Sequence, residues 1–382
     1  RSTSFTAMTF ATNTASASPT VLILGGYGAF GRLISAELAL LTGANIIIGG
    51  RSPAQGEPFA AEIGATFRPV DARDPGALRA ALNGCHLLLN AAGPFAAVDL
   101  TIPATAIAAG VNYIDIGDGR HYLRAIHALH ESACEQGVFA CFGVSSSPAI
   151  SAAMVRALCP AGAPIRAIHL GLNAGNRNPV GHSTVASILA YVGQPVPVWQ
   201  EGAWTGQYGW GMGEFATFPP PIGRRRLQLC DVSELDLLPP LFAARTVTFK
   251  AGLELNLFNY GLLGLAQLRR LWPTLDLPRL TNSLISASKL FKPFGSLHGS
   301  MALWLETEAG THHALALVAP KDGPRVPTAP AILLAQKLLS GETLPAGAHP
   351  CLHFLEFAEI AAYLATFGIF VSRDDGAGWQ RS

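Results

Sequence analysis

Gly26, Gly28 and Gly31 follow the apolar run Val21-Leu22-Ile23-Leu24 and precede Leu33, Ile34, Glu37, Leu38 and Leu41 at helical spacing. A GxGxxG placed between a strand and a helix has a definite chemical use. Gly26 would permit the tight turn, Gly28 would let the backbone approach a pyrophosphate, and Gly31 would let helix and strand pack closely. The helix N-terminus then offers free N–H groups and a positive dipole end to phosphates. Tyr27, Ala29 and Phe30 complete the loop and are expected to line the same cradle. The alternative is a purely structural glycine turn.

The second apolar stretch, residues 45–48, runs into Gly49-Gly50-Arg51-Ser52. A dinucleotide site selective for NAD usually places an acid near this strand end, where it bonds the ribose 2′-hydroxyl. Here Arg51 occupies the strand end, with Ser52 beside it, and a guanidinium suits a 2′-phosphate. NADP(H) is the expected cofactor, against the alternative of an exposed loop arginine. Asp71 ends the next strand and could bond the adenine amine or merely cap a turn. Asn90, Ala91, Ala92, Gly93 and Pro94 follow the fourth strand and are expected beside the second ribose and the nicotinamide.

These residues need strands with their carboxyl ends on one edge, and the chain alternates accordingly. Residues 66–70, 86–89, 111–116 and 138–144 read as further strands. Helices lie between them, one of them opened by Asp74-Pro75. Open α/β sheets bind ligands at such carboxyl ends. The expected fold class is therefore α/β: a Rossmann-type doubly wound parallel sheet followed by an α+β region with a mostly antiparallel sheet. From about residue 165 the alternation stops, and residues 165–173, 225–230, 245–249, 300–306 and 312–317 read as strands without a crossover rhythm.

Gly25-Gly-Tyr-Gly-Ala-Phe-Gly31, Asn90-Ala-Ala-Gly-Pro-Phe95 and Ala109-Gly-Val-Asn-Tyr-Ile-Asp-Ile116 resemble the saccharopine dehydrogenase-like oxidoreductases. Looser similarity runs on through Leu235-Asp-Leu-Leu-Pro239, Asp322-Gly-Pro324 and Gly347-Ala-His-Pro-Cys351, so it spans most of residues 20–370. The resemblance implies an NADP-binding domain at 20–155 and an inserted substrate-binding and dimerisation domain at 156–325. It also implies C-terminal helices, 326–382, returning to the first domain. Its members act on C–N bonds of amino acids, and other branches are enoyl reductases on lipid-like chains. Amino-acid-acting members carry acids around a GLDPG-like segment where this chain has Gly143-Val-Ser-Ser-Ser-Pro148.

Candidate substrate residues are Phe95, Asp118, Ser145, Ser146 and Ser147, all at strand ends, together with Trp204, Tyr208 and Trp210. The last three belong to the Pro/Gly/Trp-rich stretch 194–223, which suits a hairpin or lid with apolar walls, or a long loop packed on its own aromatics. His182 precedes a helical pattern that Ser183 or Thr184 would cap. It is the candidate proton donor or anion contact, and the alternative is a loop histidine without a role. His127, His130, Glu131 and Cys134 share a helix face but lack a second ligand group, so no metal is expected.

Composition narrows the classes. The 382 residues are 49% hydrophobic and only 13% charged, with net charge +1 and mean hydropathy +0.32. Extensive disorder is excluded, and no basic field for nucleic acid exists. No stretch reads as a transmembrane segment; residues 255–268 are apolar but short, and read as a buried helix or one resting on a membrane or partner. The Ser/Thr/Ala-rich residues 1–19 lack a signal-peptide core and read as a disordered tail or cloning remnant, with Met8 a candidate natural start. Scattered cysteines point to a cytoplasmic setting.

The combined expectation is a homodimeric NADPH-dependent oxidoreductase. It would move a hydride to or from a C=N, C=O or activated C=C bond of a small, fairly apolar substrate. The rivals are an enoyl reductase for a lipid-like substrate and a non-catalytic NADP-binding sensor or scaffold. Replacing Arg51 with alanine is expected to erase a preference for NADPH over NADH of roughly tenfold to hundredfold, the worth of a charge-assisted contact. Titrating both nucleotides against each protein checks it.

Overall fold

The structure is a computed structural model that describes residues 18–93, 95, 98–159, 164–179 and 181–382. The expected tail and the candidate Pro94 therefore lie, except for Ser18 and Pro19, outside the described residues. Alternating strands and helices occupy the first third: β1 (Thr20–Leu24), α1 (Gly31–Leu41), β2 (Asn45–Gly50), α2 (Pro53–Glu62) and β3 (Thr66–Pro69). They continue as α3 (Pro75–Ala81), β4 (Leu87–Asn90), α4 (Thr101–Ala108), β5 (Asn112–Asp115), α5 (Arg120–Ala125), α6 (His130–Glu135) and β6 (Phe139–Phe142). Asp74 caps α3 by accepting from the Gly76 and Ala77 amides, as Asp-Pro at a helix start should. The order across this sheet is β3-β2-β1-β4-β5-β6, all parallel, so the topological switch falls between β1 and β4.

The sheet is buried on both faces, which explains its apolar strands. Leu22, Leu24 and Leu88 face α3, α4 and α5 through Leu78, Ile107 and Leu123. Val21, Ile23 and Leu89 face the opposite way, into a core that continues through α7 (Ser151–Leu158) to the second sheet. Helix α7 is buried almost all round, through Ala152, Ala153, Met154, Val155 and Leu158.

The second sheet is built from β7 (Ile165–Ala174), the hairpin β8 (Pro195–Gln200) and β9 (Ala203–Tyr208), β10 (Glu214–Phe218) and β11 (Gly223–Leu229). Its other strands are β12 (Thr246–Leu253), β13 (Gly299–Thr307) and β14 (His312–Ala319). The helices among them are α8 (His182–Tyr191), α9 (Glu234–Phe242), α10 (Asn256–Leu271) and α11 (Thr281–Lys289). All pairings are antiparallel except β12 with β7. The hairpin turns at Glu201 and Gly202, both at positive φ, the geometry that matches strand twist. The chain then crosses back: α12 (Arg325–Leu339) packs on α1, and β15 (Gly347–Pro350) adds a seventh parallel strand beside β6. After α13 (Phe357–Ala365), β16 (Phe370–Asp374) and β17 (Gln380–Arg381) extend the second sheet beyond β14. The C-terminal return thus consists of strands as well as helices.

The apolar stretch at 255–268 differs from its expectation as a buried helix. It is α10, and its outer side, with Leu257, Tyr260 and Leu268, is exposed. No helix among the described residues is long and apolar enough to cross a membrane.

One polar cluster organises the carboxyl edge of the first sheet. Asp115, wholly buried at the end of β5, accepts from the Tyr113 and Tyr122 hydroxyls at 2.9 and 2.7 Å and from the Gly117 and Gly143 amides at 2.9 and 3.1 Å. Asn90 joins by donating to the Tyr113 hydroxyl and accepting from the Ala92 amide. Burial pushes the Asp115 carboxyl up to about 6, against the pull of its four donors. Asp115→Asn turns an acceptor into a donor facing donors, so a loss of about 2–4 kcal/mol in urea unfolding is the expected result.

Candidate nucleotide and substrate site

At the carboxyl end of β1 the turn is made by Gly25, at φ +68°, and not by Gly26 as the motif suggested. Gly26 is close-packed instead; a Cβ there would meet Ile48 and Ser35 at 3.0 Å. The Gly28 amide donates to the Gly25 carbonyl at 2.8 Å, closing the loop. A Cβ on Gly31 would stand 2.1 Å from that same carbonyl oxygen, so the entry to α1 tolerates no side chain. At Gly28 a Cβ would meet only Gly25 O at 3.1 Å, and Ala29 beside it is exposed. The loop is therefore open on its outer side, above an α1 N-terminus that begins after Phe30. A phosphate cradle has this form.

Tyr27 reaches across to β2. Its hydroxyl accepts from the Ser52 amide at 3.2 Å, and its ring fills the space that a side chain on Gly50 would need. This contact pins the loop carrying Arg51, whose side chain is exposed and, among the described residues, in no ion pair. Asp71 lies within electrostatic reach of Arg51 but is already clasped by Arg73, at 3.1 and 2.8 Å, which holds its carboxyl at about 2. A cradle open to phosphate and an unspent guanidinium at the end of β2 both fit a 2′-phosphorylated dinucleotide.

The β4 loop completes this edge. Ala91, Ala92 and Gly93 pass alongside the glycine turn, where a Cβ on Gly25 would touch Ala92 at 3.0 Å. Asn90 is buried and its amide is spent on Tyr113 and Ala92, so it positions this loop. Phe95 is wedged under the next loop, against Gly117, Gly119 and the Tyr122 ring. Asp118 reaches solvent, yet protein surrounds it closely enough that desolvation raises its carboxyl above the ordinary value. A charged group in that position lines a recess. Its charge bears on Tyr191, Cys230 and Glu234, so these groups lie within electrostatic reach of Asp118.

The three serines are buried, unlike open substrate contacts. Ser145 Oγ donates to the Pro327 carbonyl at 3.0 Å, and Ser147 Oγ donates to Glu234 Oε2 at 2.5 Å. Ser151 adds a second bond to Glu234, at 2.8 Å. Glu234, wholly buried at the start of α9, was not singled out in the sequence, and burial pushes its carboxyl up to about 7. Two positions away, Asp236 clamps the guanidinium of Arg120 through both oxygens, while Arg120 also reaches Asp231 and the Pro197 carbonyl. This buried arginine ties α5 of the first sheet to α9 and the β8–β9 hairpin.

The second sheet also supplies a lid to the cradle. Helix α8 starts at His182 with Gly181 as its cap, so Ser183 and Thr184 lie in its first turn instead of capping it. Gly181 approaches Ala29, where its Cβ would come within 3.9 Å, and Ser183 lies 3.2 Å from the Cβ position of Gly93. His182, between these two contacts in the chain, is exposed. Of the aromatic candidates, Trp204 is exposed near Arg120, at 5.6 Å, and Tyr208 lies under Arg270, at 4.1 Å. Trp210 is 1% exposed and its indole donates to the Asn259 carbonyl; it belongs to the core with Leu189 and Ala266 and cannot line a pocket. Among the described residues no group of three or more His, Cys, Asp or Glu side chains could hold a metal.

Residues 21–141 match the family model described as the saccharopine dehydrogenase NADP binding domain. Over nearly the whole chain the fold is similar to apo saccharopine dehydrogenase (L-Glu forming) from Saccharomyces cerevisiae, with TM-score 0.66, 12% identity, and 94% of this chain and 99% of that one covered. Pen from Bacillus thuringiensis is similar over 33% of this chain and 49% of its own, at 16% identity and TM-score 0.29. A short-chain dehydrogenase/reductase from Veillonella parvula, in complex with NADP, covers 25% and 46%, at 18% identity and TM-score 0.23. No curated protein matches the chain in sequence.

The raised carboxyls have a consequence for stability. Folded Glu234 binds its proton below about 7, whereas an unfolded glutamate does so only below about 4.5. Its contribution is complete below 4.5 and is lost as pH rises through 7, by up to about 3 kcal/mol. Asp115 acts in the same direction between 3.8 and about 6. Urea unfolding across this range should show stability falling with pH, and Glu234→Gln should flatten the upper part of the slope.

Proposed function

This chain is saccharopine dehydrogenase-like, and we propose that it is an NADPH-dependent oxidoreductase acting on a C=N, C=O or activated C=C bond of a small, fairly apolar substrate. The observation that carries the reading is the meeting of the His182 end of α8 with the Gly25–Gly31 turn and the Ala92–Gly93 loop. A binding edge closed over by a second layer keeps water from a reacting bond. The cofactor, when bound, supplies or accepts the hydride.

The chain's own residues divide the remaining work. Gly28 and the first turn of α1 receive the pyrophosphate, and Arg51 with Ser52 receives the 2′-phosphate. Ala91, Ala92 and Gly93, a loop positioned by Asn90 through Tyr113 and Asp115, would hold the far half of the dinucleotide. Substrate is received at the carboxyl edge by Asp118 and Phe95, with the exposed Trp204 near Arg120 as an apolar contact. His182, exposed at the start of α8, holds the proton that accompanies hydride transfer. The low charge of the chain and the exposed Trp204 support a substrate less polar than an α-amino acid. A cytoplasmic homodimer belongs to the same proposal.

The test is single-turnover oxidation of NADPH in the presence of cyclic imines, ketones and enoyl thioesters. One class should be reduced, and His182→Ala should lower kcat by about a hundredfold or more while leaving the Kd for NADPH unchanged. Tight NADPH binding with no oxidation by any of the three classes would leave the sensor or scaffold reading in its place.

A further inference from the structure

We infer that the outer face of α10, together with the turn at 289–297, docks the protein on an anionic lipid surface. Helix α10 is apolar on two sides. Ala266, Leu262, Leu263 and Leu265 pack inward with Leu189 and Trp210. Leu257, Tyr260, Leu268 and Leu271 project outward, recurring at helical spacing, and Gly261 and Gly264 between them face open space. A helix with apolar residues on both faces is ordinarily covered on both. The exposure is large: Leu271 is 79% exposed and the adjoining Trp272 is 65% exposed. Phe291 meets the ring of Phe258 at 5.3 Å, which brings Leu290 and Phe294, 76% and 73% exposed, beside the start of this stripe. Nine of the fifteen large exposed hydrophobic residues among those described fall between 257 and 297, so the apolar surface is concentrated and not scattered.

Charge selects the occupant. Residues 254–298 carry Arg269, Arg270, Arg279, Lys289 and Lys292 against two acids, Asp276 and Glu254, the latter taken by the Asn176 and Ser296 amides beside Arg225. Arg269 is turned inward onto the carbonyls of Leu189, Ala190 and Val192, and Arg279 is paired with Asp276. Among the described residues no acid is paired with Arg270, Lys289 or Lys292. A second copy on this face would press like charges together at an interface without acids to receive them. Anionic headgroups answer both features, accepting the cations while Leu271, Trp272 and Phe294 enter the acyl boundary. With no helix long enough to cross, α10 would lie in the plane of the interface.

Sedimentation with vesicles of phosphatidylcholine, with and without phosphatidylserine, tests the inference on the full chain. Binding is expected only with phosphatidylserine present, and it should weaken as salt is raised. The double variant Lys289→Glu, Lys292→Glu should bind about 25-fold more weakly or worse, at roughly fivefold per cation removed. Leu271→Ser with Trp272→Ser should bind at least tenfold more weakly, roughly the loss of two inserted apolar side chains. All these positions are exposed, so unchanged melting temperatures confirm that the variants fold. Equal binding to neutral vesicles, or binding to neither, overturns the inference. So does a solution dimer that Leu271→Glu converts to monomers, because a second copy would then be what covers the face.

Discussion

Four donors converge on the buried carboxylate of Asp115, and through them three strand ends are tied to one point. The Gly117 amide belongs to the loop after β5 and the Gly143 amide to the loop after β6, while Asn90 after β4 is joined through the Tyr113 hydroxyl. Loops at a sheet edge are ordinarily its most mobile part. Here the ends of β4, β5 and β6 are held together because a buried carboxylate cannot release its donors without a large cost. The position of Ala92 against Gly25, and hence the floor of the cradle, depends on that constraint.

A second buried charge does comparable work between the layers. Arg120 leaves α5 and is held by Asp231, Asp236 and the Pro197 carbonyl, so the first sheet is keyed to α9 and to the β8–β9 hairpin. Glu234, in the same helix, reaches back to Ser147 and Ser151 at the β6 end. The two layers are thereby held together, and α8 brings Gly181 and Ser183 against Ala29 and Gly93. The small number of charges in this chain is deceptive; several sit where desolvation makes each contact count.

Much of the first layer was legible in the residues. Short apolar runs alternating with helical periodicity predict a parallel sheet covered on both faces, and β1 to β6 follow that pattern. The placement of glycines between β1 and α1 also reads directly, since Gly31 leaves no room for a Cβ whatever the rest of the chain does. Less legible was the use of individual polar groups. Ser147 looks like a ligand contact at a strand end, but its hydroxyl is taken by Glu234, 87 residues away. Trp210 looks like its neighbours Trp204 and Tyr208, but strand geometry and α10 place it in the core. The outward face of α10 was similarly ambiguous, because a helix apolar all round does not say which side finds a partner.

The sequence by itself determined the elements, the nucleotide cradle and the cation at the end of β2, because periodicity and glycine sterics act between near neighbours in the chain. Tertiary structure alone decided which side chains remain available. It pinned Tyr27 to Ser52, consumed two of the candidate serines, buried Glu234 and left Asp118 and His182 exposed. The reason is physical: a hydroxyl or carboxylate is free or spent according to groups that folding brings beside it from distant parts of the chain, and local sequence carries no record of them.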